Sequence, residues 1–312
     1  MALNVFIDGA AGTTGLEIRE RLATRTDLAL ITLDEASRKD ADARRQALND
    51  ADFVILCLPD DAAREAVALI DNQRTRVIDA STAFRTAEGW IYGLPELEPG
   101  QSAAIGEAAR VSNPGCYPTG FLCLVRPLVR AGLVPADWAL SVNAASGYSG
   151  GGKTMIAEFE SGEETTALRG YALGLAHKHV PEMQKHARLA HPPIFMPSVA
   201  NTYRGMIVEV PLPLQAFLRR PSLATIESNL RDAYRDSPVI RVAETIDDDP
   251  GLVRIEDDAN TDRLTLRVVG NGDTGQARLI ATLDNLGKGA AGAAVQNLNI
   301  MAGLDQTLGL NL

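Results

Sequence analysis

Leu3-Asn4-Val5-Phe6-Ile7-Asp8-Gly9-Ala10-Ala11-Gly12-Thr13-Thr14-Gly15 decides how the chain begins to fold. A short apolar run that stops at a glycine reads as a buried parallel strand. The three glycines then open a helical pattern over residues 16–23. Glycines spaced G-x-x-G-x-x-G at that place allow a sharp turn. They also bring backbone N–H groups, and the positive end of a helix, close to a pyrophosphate. Gly9, Ala11, Gly12, Thr13, Thr14 and Gly15 are therefore the first candidate ligand contacts, for a dinucleotide.

Working outward, residues 28–33, 53–58 and 77–80 read as further strands, with helical spacing over 62–70. Strands alternating with helices predict a parallel sheet with right-handed crossovers, an α/β Rossmann-type arrangement. The second strand should end at the adenosine ribose. The residues there are Asp34-Glu35-Ala36-Ser37-Arg38-Lys39. An acid there suits the 2′-hydroxyl of NAD. The donors Ser37, Arg38 and Lys39 suit the 2′-phosphate of NADP, and three together favour NADP(H). Ser81 and Arg85 follow the fourth strand, where ligands of such sheets gather; Arg85 could hold a carboxylate or phosphate.

The texture changes after residue 115. Residues 139–145, 206–212, 264–269 and 277–283 read as longer strands, some alternating apolar with polar. That predicts a second, α+β region with a mostly antiparallel or mixed sheet, one face less buried or covered by a partner subunit. Helical segments are expected at 181–189, 222–234 and from about 288 to 304. Asp247-Asp248-Asp249-Pro250-Gly251 reads as an exposed loop.

Ser112-Asn113-Pro114-Gly115-Cys116-Tyr117-Pro118-Thr119-Gly120 carries the chemistry. A tight turn feeds a helical run over 121–129 and leaves Cys116 near its N-terminus, where exposed N–H groups and the helix dipole favour a thiolate. Such a thiolate attacks acyl phosphates and aldehydes. Cys123, seven residues on among leucines, and Cys57, inside a strand, read as core. His177-Lys178-His179-Val180-Pro181-Glu182 sets two histidines before a helix that Pro181 can start. Either His177 or His179 could serve as acid–base partner. Gly147, Ser149 and Gly150, in the loop before Lys153, can wrap an anion or a nicotinamide through backbone donors. The loop lacks the Walker spacing.

The net charge of −10 over 312 residues argues against a general nucleic-acid surface. Three sparse cysteines make no disulfide framework, and no apolar stretch is long enough to span a bilayer. With no signal-type segment, a cytoplasmic protein is expected. No metal site is expected, because the histidines lack further ligands at metal-binding spacing.

Together these stretches, with Tyr92-Gly93-Leu94-Pro95-Glu96 and Asp284-Asn285-Leu286-Gly287-Lys288-Gly289-Ala290, make the chain similar to the shorter form of the N-acetyl-γ-glutamyl-phosphate reductases of arginine biosynthesis. The matches run in family order over nearly the whole chain, and the Asn-Pro-Gly-Cys-Tyr-Pro-Thr stretch is the specific one. The resemblance implies an NADP-binding Rossmann domain over 1–115, completed by the C-terminal helix 288–312. A catalytic and oligomerisation domain would fill 116–287, in a homodimer or homotetramer. It implies Cys116 as nucleophile, a histidine of the 177/179 pair as acid–base, and Asn285 and Lys288 near the nicotinamide. Arg85 and Asn113 are the expected substrate contacts. The rivals are aspartate-semialdehyde dehydrogenase, which shares architecture and thioester chemistry, and a non-catalytic NADP-binding sensor. A sugar-modifying Rossmann enzyme would need a Tyr-x-x-x-Lys pair, and neither Tyr148 nor Tyr171 has lysine four residues on.

Overall fold

The computed structural model describes residues 2–34, 37, 40–162, 164–244 and 251–312. Arg38 and Lys39, expected at the 2′-phosphate, and 247–250 of the expected acidic loop lie outside the described residues. The chain divides into two compact units. One comprises Met1–Pro95, Gly100–Gly115 and Ala290–Leu310; the other comprises Glu96–Pro99, Cys116–Gly289 and Asn311–Leu312.

The first unit holds β1 (Leu3–Asp8), α1 (Thr13–Leu22), β2 (Leu28–Ile31), α2 (Ala41–Asp50), β3 (Phe53–Leu56), α3 (Asp60–Ala68), β4 (Arg76–Asp79), β5 (Ile91–Tyr92), α4 (Gln101–Glu107) and β6 (Arg110–Ser112). Its sheet runs β2-β1-β3-β4-β6-β5, and every neighbouring pair is parallel. Successive strand side chains point to opposite faces, so β1 feeds two cores. Val5 and Ile7 join Ile18 of α1 and Ile105 of α4 on one side; Phe6 joins Leu48 of α2 and Ala63 and Ala66 of α3 on the other. Asp40 caps α2 by accepting from the Ala43 N–H at 2.8 Å.

The second unit holds α5 (Cys116–Arg130), β7 (Ser141–Gly147), α6 (Gly152–Glu160), β8 (Leu168–Gly170), α7 (Val180–Ala187), β9 (Ile194–Ala200), β10 (Met206–Pro213), α8 (Leu223–Ala233), β11 (Ile240–Val242), β12 (Leu264–Asn271) and β13 (Gln276–Leu283). Its seven strands run β11-β12-β13-β10-β7-β9-β8, with β11–β12 and β7–β9 parallel and the other neighbours antiparallel. The sheet is therefore mixed. One face is covered by α5 and α8; on the other, Ile194 and Met196 of β9 stand 47% and 44% exposed.

The helix expected over 121–129 is longer and begins at Cys116 itself. Its interior contains Pro127, which has no N–H for the Cys123 carbonyl one turn back. The buried Tyr234 hydroxyl donates to that carbonyl instead, at 2.8 Å. A donor from α8's end thus makes an otherwise helix-breaking residue tolerable. The last helix also differs from expectation. Gly287–Ala291 form a π-turn, and α9 (Gly292–Met301) follows, packing against α1 and α4 of the first unit.

Candidate active site

In the first unit, the turn from β1 to α1 has the geometry a dinucleotide needs. Gly9 has φ of +89°, and a Cβ there would lie 2.3 Å from the Cys57 carbonyl oxygen. Only glycine fits both the conformation and the space. The Gly12 N–H closes the turn on the Gly9 carbonyl at 2.9 Å, and the Leu16 N–H donates to the Gly12 carbonyl at 2.8 Å to start α1. No side chain caps α1 at Gly12, which leaves the helix mouth's N–H groups open to an anion. Gly9, Ala10 and Ala11 line a cavity of about 530 Å³ together with Leu30 to Leu33. The size and the apolar β2 wall suit an adenosine beside a phosphate-binding turn. Arg19, the first basic residue of the chain, lines the same cavity. The reading from sequence passed over it, although it lies inside α1, within two turns of its start.

Asp79, fully buried, ends β4. Its carboxylate accepts from the Ser81 hydroxyl at 2.7 Å, and the Ala83 N–H donates to Ser81 Oγ at 3.1 Å. Burial pushes the Asp79 carboxyl up to about 6, against the pull of Ser81 and Arg85. Ser81 is thus where it was expected, at the strand end, tied to the backbone.

Arg85 and Asn113, the expected substrate contacts, are both buried and bonded to each other. Arg85 donates through Nε to the Asn113 carbonyl at 3.0 Å and through Nη2 to the Ala80 carbonyl at 3.1 Å. The Asn113 N–H donates to the Asp79 carbonyl at 2.7 Å, and its amide donates to the Ala290 carbonyl at 3.0 Å. Asn297 of α9, unremarked in the sequence, donates to Asn113 Oδ1 at 3.0 Å and to the Gly93 carbonyl at 2.8 Å. Both groups of the Asn113 amide and both of its main-chain polar groups are thus engaged within the unit, three residues before Cys116.

In the second unit, Cys116 is half-buried at the first position of α5. Around its neighbour Tyr117 the fold gathers His177 and His179 by ring contact: the Tyr117 ring centre lies 6.2 Å from His177 and 5.9 Å from His179. The two imidazoles stand 4.6 Å apart, and the His179 N–H donates to His177 Nδ1 at 3.1 Å. That bond requires Nδ1 of His177 to carry a lone pair and leaves its Nε2 as the position for a proton. His179, 6% exposed, immediately precedes α7, and Pro181 stands in that helix's first turn.

Two tyrosines complete the cluster. The Tyr171 hydroxyl donates to Tyr117 Oη at 3.3 Å, and the Tyr117 hydroxyl donates to the Ser198 carbonyl at 3.2 Å. Burial raises both phenols, Tyr171 to about 12, and negative charge on Cys116 raises them further. Both hydroxyls therefore keep their protons and remain donors. Tyr171 was missed as a site residue because its role rests on β9 and α5, far away in sequence. The other two thiols are held in their protonated form. Burial raises Cys57 and Cys123 to about 12, with Asp79 and Asp8 adding to the first and Glu96 to the second.

The fold also joins Ser149 and Asn285, 136 residues apart: the Asn285 amide donates to Ser149 Oγ at 2.8 Å and accepts from the Gly205 N–H at 3.0 Å. The Gly147 N–H donates to the Gly205 carbonyl at 2.9 Å. Gly147, Ser149, Gly150 and Asn285 thus belong to one braced loop system. Lys288 is 1% exposed and meets both oxygens of Glu96, at 3.0 and 2.9 Å. Among the described residues, no group of three or more His, Cys, Asp or Glu side chains could hold a metal ion, and no helix is long and apolar enough to cross a membrane.

A parallel-sheet unit with a dinucleotide turn, and a mixed-sheet unit opened by a cysteine, define the nicotinamide-dependent semialdehyde dehydrogenase class. Residues 4–105 match the family model described as semialdehyde dehydrogenase, NAD binding domain, and 116–285 match the one described as its dimerisation domain. The chain is 49% identical over 319 residues to "N-acetyl-gamma-glutamyl-phosphate reductase 2" of Nostoc sp., covering 98% of each chain. It is 51% identical over 310 residues to the N-acetyl-gamma-glutamyl-phosphate reductase of Brucella anthropi, covering 97% of this chain and 99% of that one. The aspartate semialdehyde dehydrogenase of Candida albicans, solved with NADP, superposes with a TM-score of 0.68 over 97% of this chain and 99% of that one, at 14% identity. That likeness bears on the fold. The chain belongs to the semialdehyde dehydrogenase family and, within it, to the N-acetyl-γ-glutamyl-phosphate reductases.

Proposed function

We propose that this chain reduces N-acetyl-γ-glutamyl phosphate to N-acetyl-L-glutamate 5-semialdehyde and phosphate with NADPH, through a thioester on Cys116, as a step of arginine biosynthesis. The observation that carries the reading is a half-buried cysteine at a helix mouth whose neighbour, Tyr117, meets two histidines and a second tyrosine. The relatives at about half identity carry the N-acetylglutamyl name; the aspartate enzymes resemble the chain at 13–20% identity.

The Cys116 thiolate attacks the γ-acyl carbon, and the C–O bond to phosphate breaks to leave the thioester. Backbone N–H groups at the start of α5, with a tyrosine hydroxyl, stabilise the oxyanion. A histidine of the 177/179 pair gives a proton to the leaving oxygen. The glycine turn and Ser81 would hold NADPH. Bound there, NADPH supplies the hydride that brings the thioester to the aldehyde level. The tetrahedral oxyanion so formed collapses to the aldehyde as the C–S bond breaks, and the sulfur leaves as thiolate. Free cysteines and NADPH use both suit a reducing, cytoplasmic setting.

A second copy of the chain is the natural cover for the open sheet face around Ile194 and Met196, in keeping with the description of the second family model. The expected assembly is a homodimer, or a tetramer built from it.

The test is phosphate-dependent NADP reduction with N-acetylglutamate semialdehyde. Cys116→Ala should abolish turnover and leave NADPH affinity within about twofold of the native value. Substantial turnover by the folded variant would end the covalent reading.

A further inference from the structure

The turn that leads from β13 to α9 touches the nucleophile. An added Cβ at Gly289 would lie 2.9 Å from Cys116 Cβ and 3.4 Å from its Cα, so the two backbones are in close contact. Three independent ties hold that turn. The fully buried Asp284 carboxylate accepts from the Leu286 and Gly287 N–H groups at 2.7 and 3.0 Å. Its main-chain carbonyl accepts from the Gly289 N–H at 2.9 Å. The Lys288 ammonium, between those anchors and Gly289, reaches Glu96 in a pair whose side chains are 1% and 7% exposed.

A buried ion pair is a poor source of net stability, because the desolvation of two charges offsets their attraction. What it supplies is a fixed geometry with a large penalty for separation. The pair also lies along α5. Glu96 and Lys288 both act electrostatically on the Cys123 thiol, which is two helical turns beyond Cys116 on the same face. The turn therefore presents Gly289 to the start of α5, while the Lys288 charge acts on the helix further on. A one-turn π-helical insertion at Gly287–Ala291, where an α-helix was expected to begin, lets it do both.

We propose that the Asp284–Gly289 turn, locked by Lys288 to Glu96, is the seat that fixes the Cys116 backbone, with Lys288 and Gly289 as positioning residues for the nucleophile. The proposal rests on Cys116 being the nucleophile. A misplacement of about 1 Å at a reacting atom can cost on the order of 10²-fold in rate. Gly289→Ala pushes directly on Cys116. The double variant Glu96→Gln/Lys288→Met releases the lock without leaving a lone buried charge.

The experiment measures kcat, the KM for NADPH and for the acyl phosphate, and the rate of Cys116 alkylation by iodoacetamide against pH, in native protein and both variants. Alkylation reads Cys116 almost alone, since the other two thiols are raised to about 12. For Gly289→Ala the expected result is a fall in kcat of about 10²-fold. The alkylation profile should be displaced, with both KM values within about twofold. The double variant should move the same readouts in the same direction by a smaller factor. A tenfold rise in the KM for NADPH with unchanged alkylation would make Lys288 a cofactor contact and overturn the proposal. So would a native alkylation profile and native kcat in a folded Gly289→Ala protein. Loss of activity in Cys116→Ala beside native Gly289→Ala sinks the seat alone, whereas an active Cys116→Ala sinks the reading of the reaction.

Discussion

Asp79→Asn should make the protein's stability less sensitive to pH, by an amount the structure allows to be worked out. Asp79 is fully buried at the end of β4; one carboxyl oxygen accepts from Ser81, and the other meets no hydrogen-bond donor among the described residues. Burial is the largest cause of the rise from the ordinary 3.8 to about 6, and the Asp60 charge adds to it. The folded state therefore holds this proton up to about pH 6, while the unfolded chain releases it near pH 4. Between those values the folded state binds more protons than the unfolded one, so stability falls as pH rises through the window. The full cost, reached above pH 7, is on the order of 3 kcal/mol at 1.36 kcal/mol per pH unit. Asparagine cannot ionise, keeps an oxygen for Ser81 and leaves untouched the main-chain carbonyl that accepts from Asn113. Urea unfolding of both proteins at pH 4.5 and 7.5 gives the comparison. The variant should gain about 2 kcal/mol on the native protein between those two points. Parallel stability curves, or a variant that loses ground as pH rises, would refute the assignment of a buried, proton-holding carboxyl.

Gly9→Ala should weaken NADPH binding tenfold or more, about 1.4 kcal/mol, in a fluorescence titration, since alanine meets both a φ of +89° and the Cys57 carbonyl at 2.3 Å. Tyr234→Phe should lower stability by about 1–3 kcal/mol in denaturant titrations, because the Cys123 carbonyl then loses the donor that replaces Pro127's missing N–H. Asn113→Ala should cost a similar ~1–3 kcal/mol and leave the KM for the acyl phosphate within about twofold, since its amide is engaged by Ala290 and Asn297; a large rise in that KM would make Asn113 a substrate contact after all.

The parts of this protein that could be read from sequence are those whose chemistry is local. The glycine turn is one: the demand for positive φ and close approach at Gly9 is met by neighbours within the first βαβ unit and by one adjacent strand. The Asn-Pro-Gly-Cys turn is another, because the residues that start α5 surround the cysteine they expose. The roles that were not legible depend on partners far along the chain. Arg85 reads as a cation at a strand end that could hold a carboxylate or phosphate, yet the carbonyl that captures it belongs to Asn113, 28 residues on. The C-terminal helix reads as starting at Lys288, but that lysine's partner is Glu96, 192 residues earlier, and the resulting pair accompanies a π-turn before α9. β9 went unread for a different reason, since Pro197 inside it argues against a central strand. β9 is central only in part: β8 pairs with it from Ser198 to Ala200, so the chain at Pro197 behaves as an edge. For Arg85 and Lys288 the partner lay beyond what local sequence shows. Residue type records what a side chain can do, while the partner is set by topology. The site therefore divides along that line, with the candidate reacting groups visible in the sequence and the partners of Arg85 and Lys288 visible only in the fold.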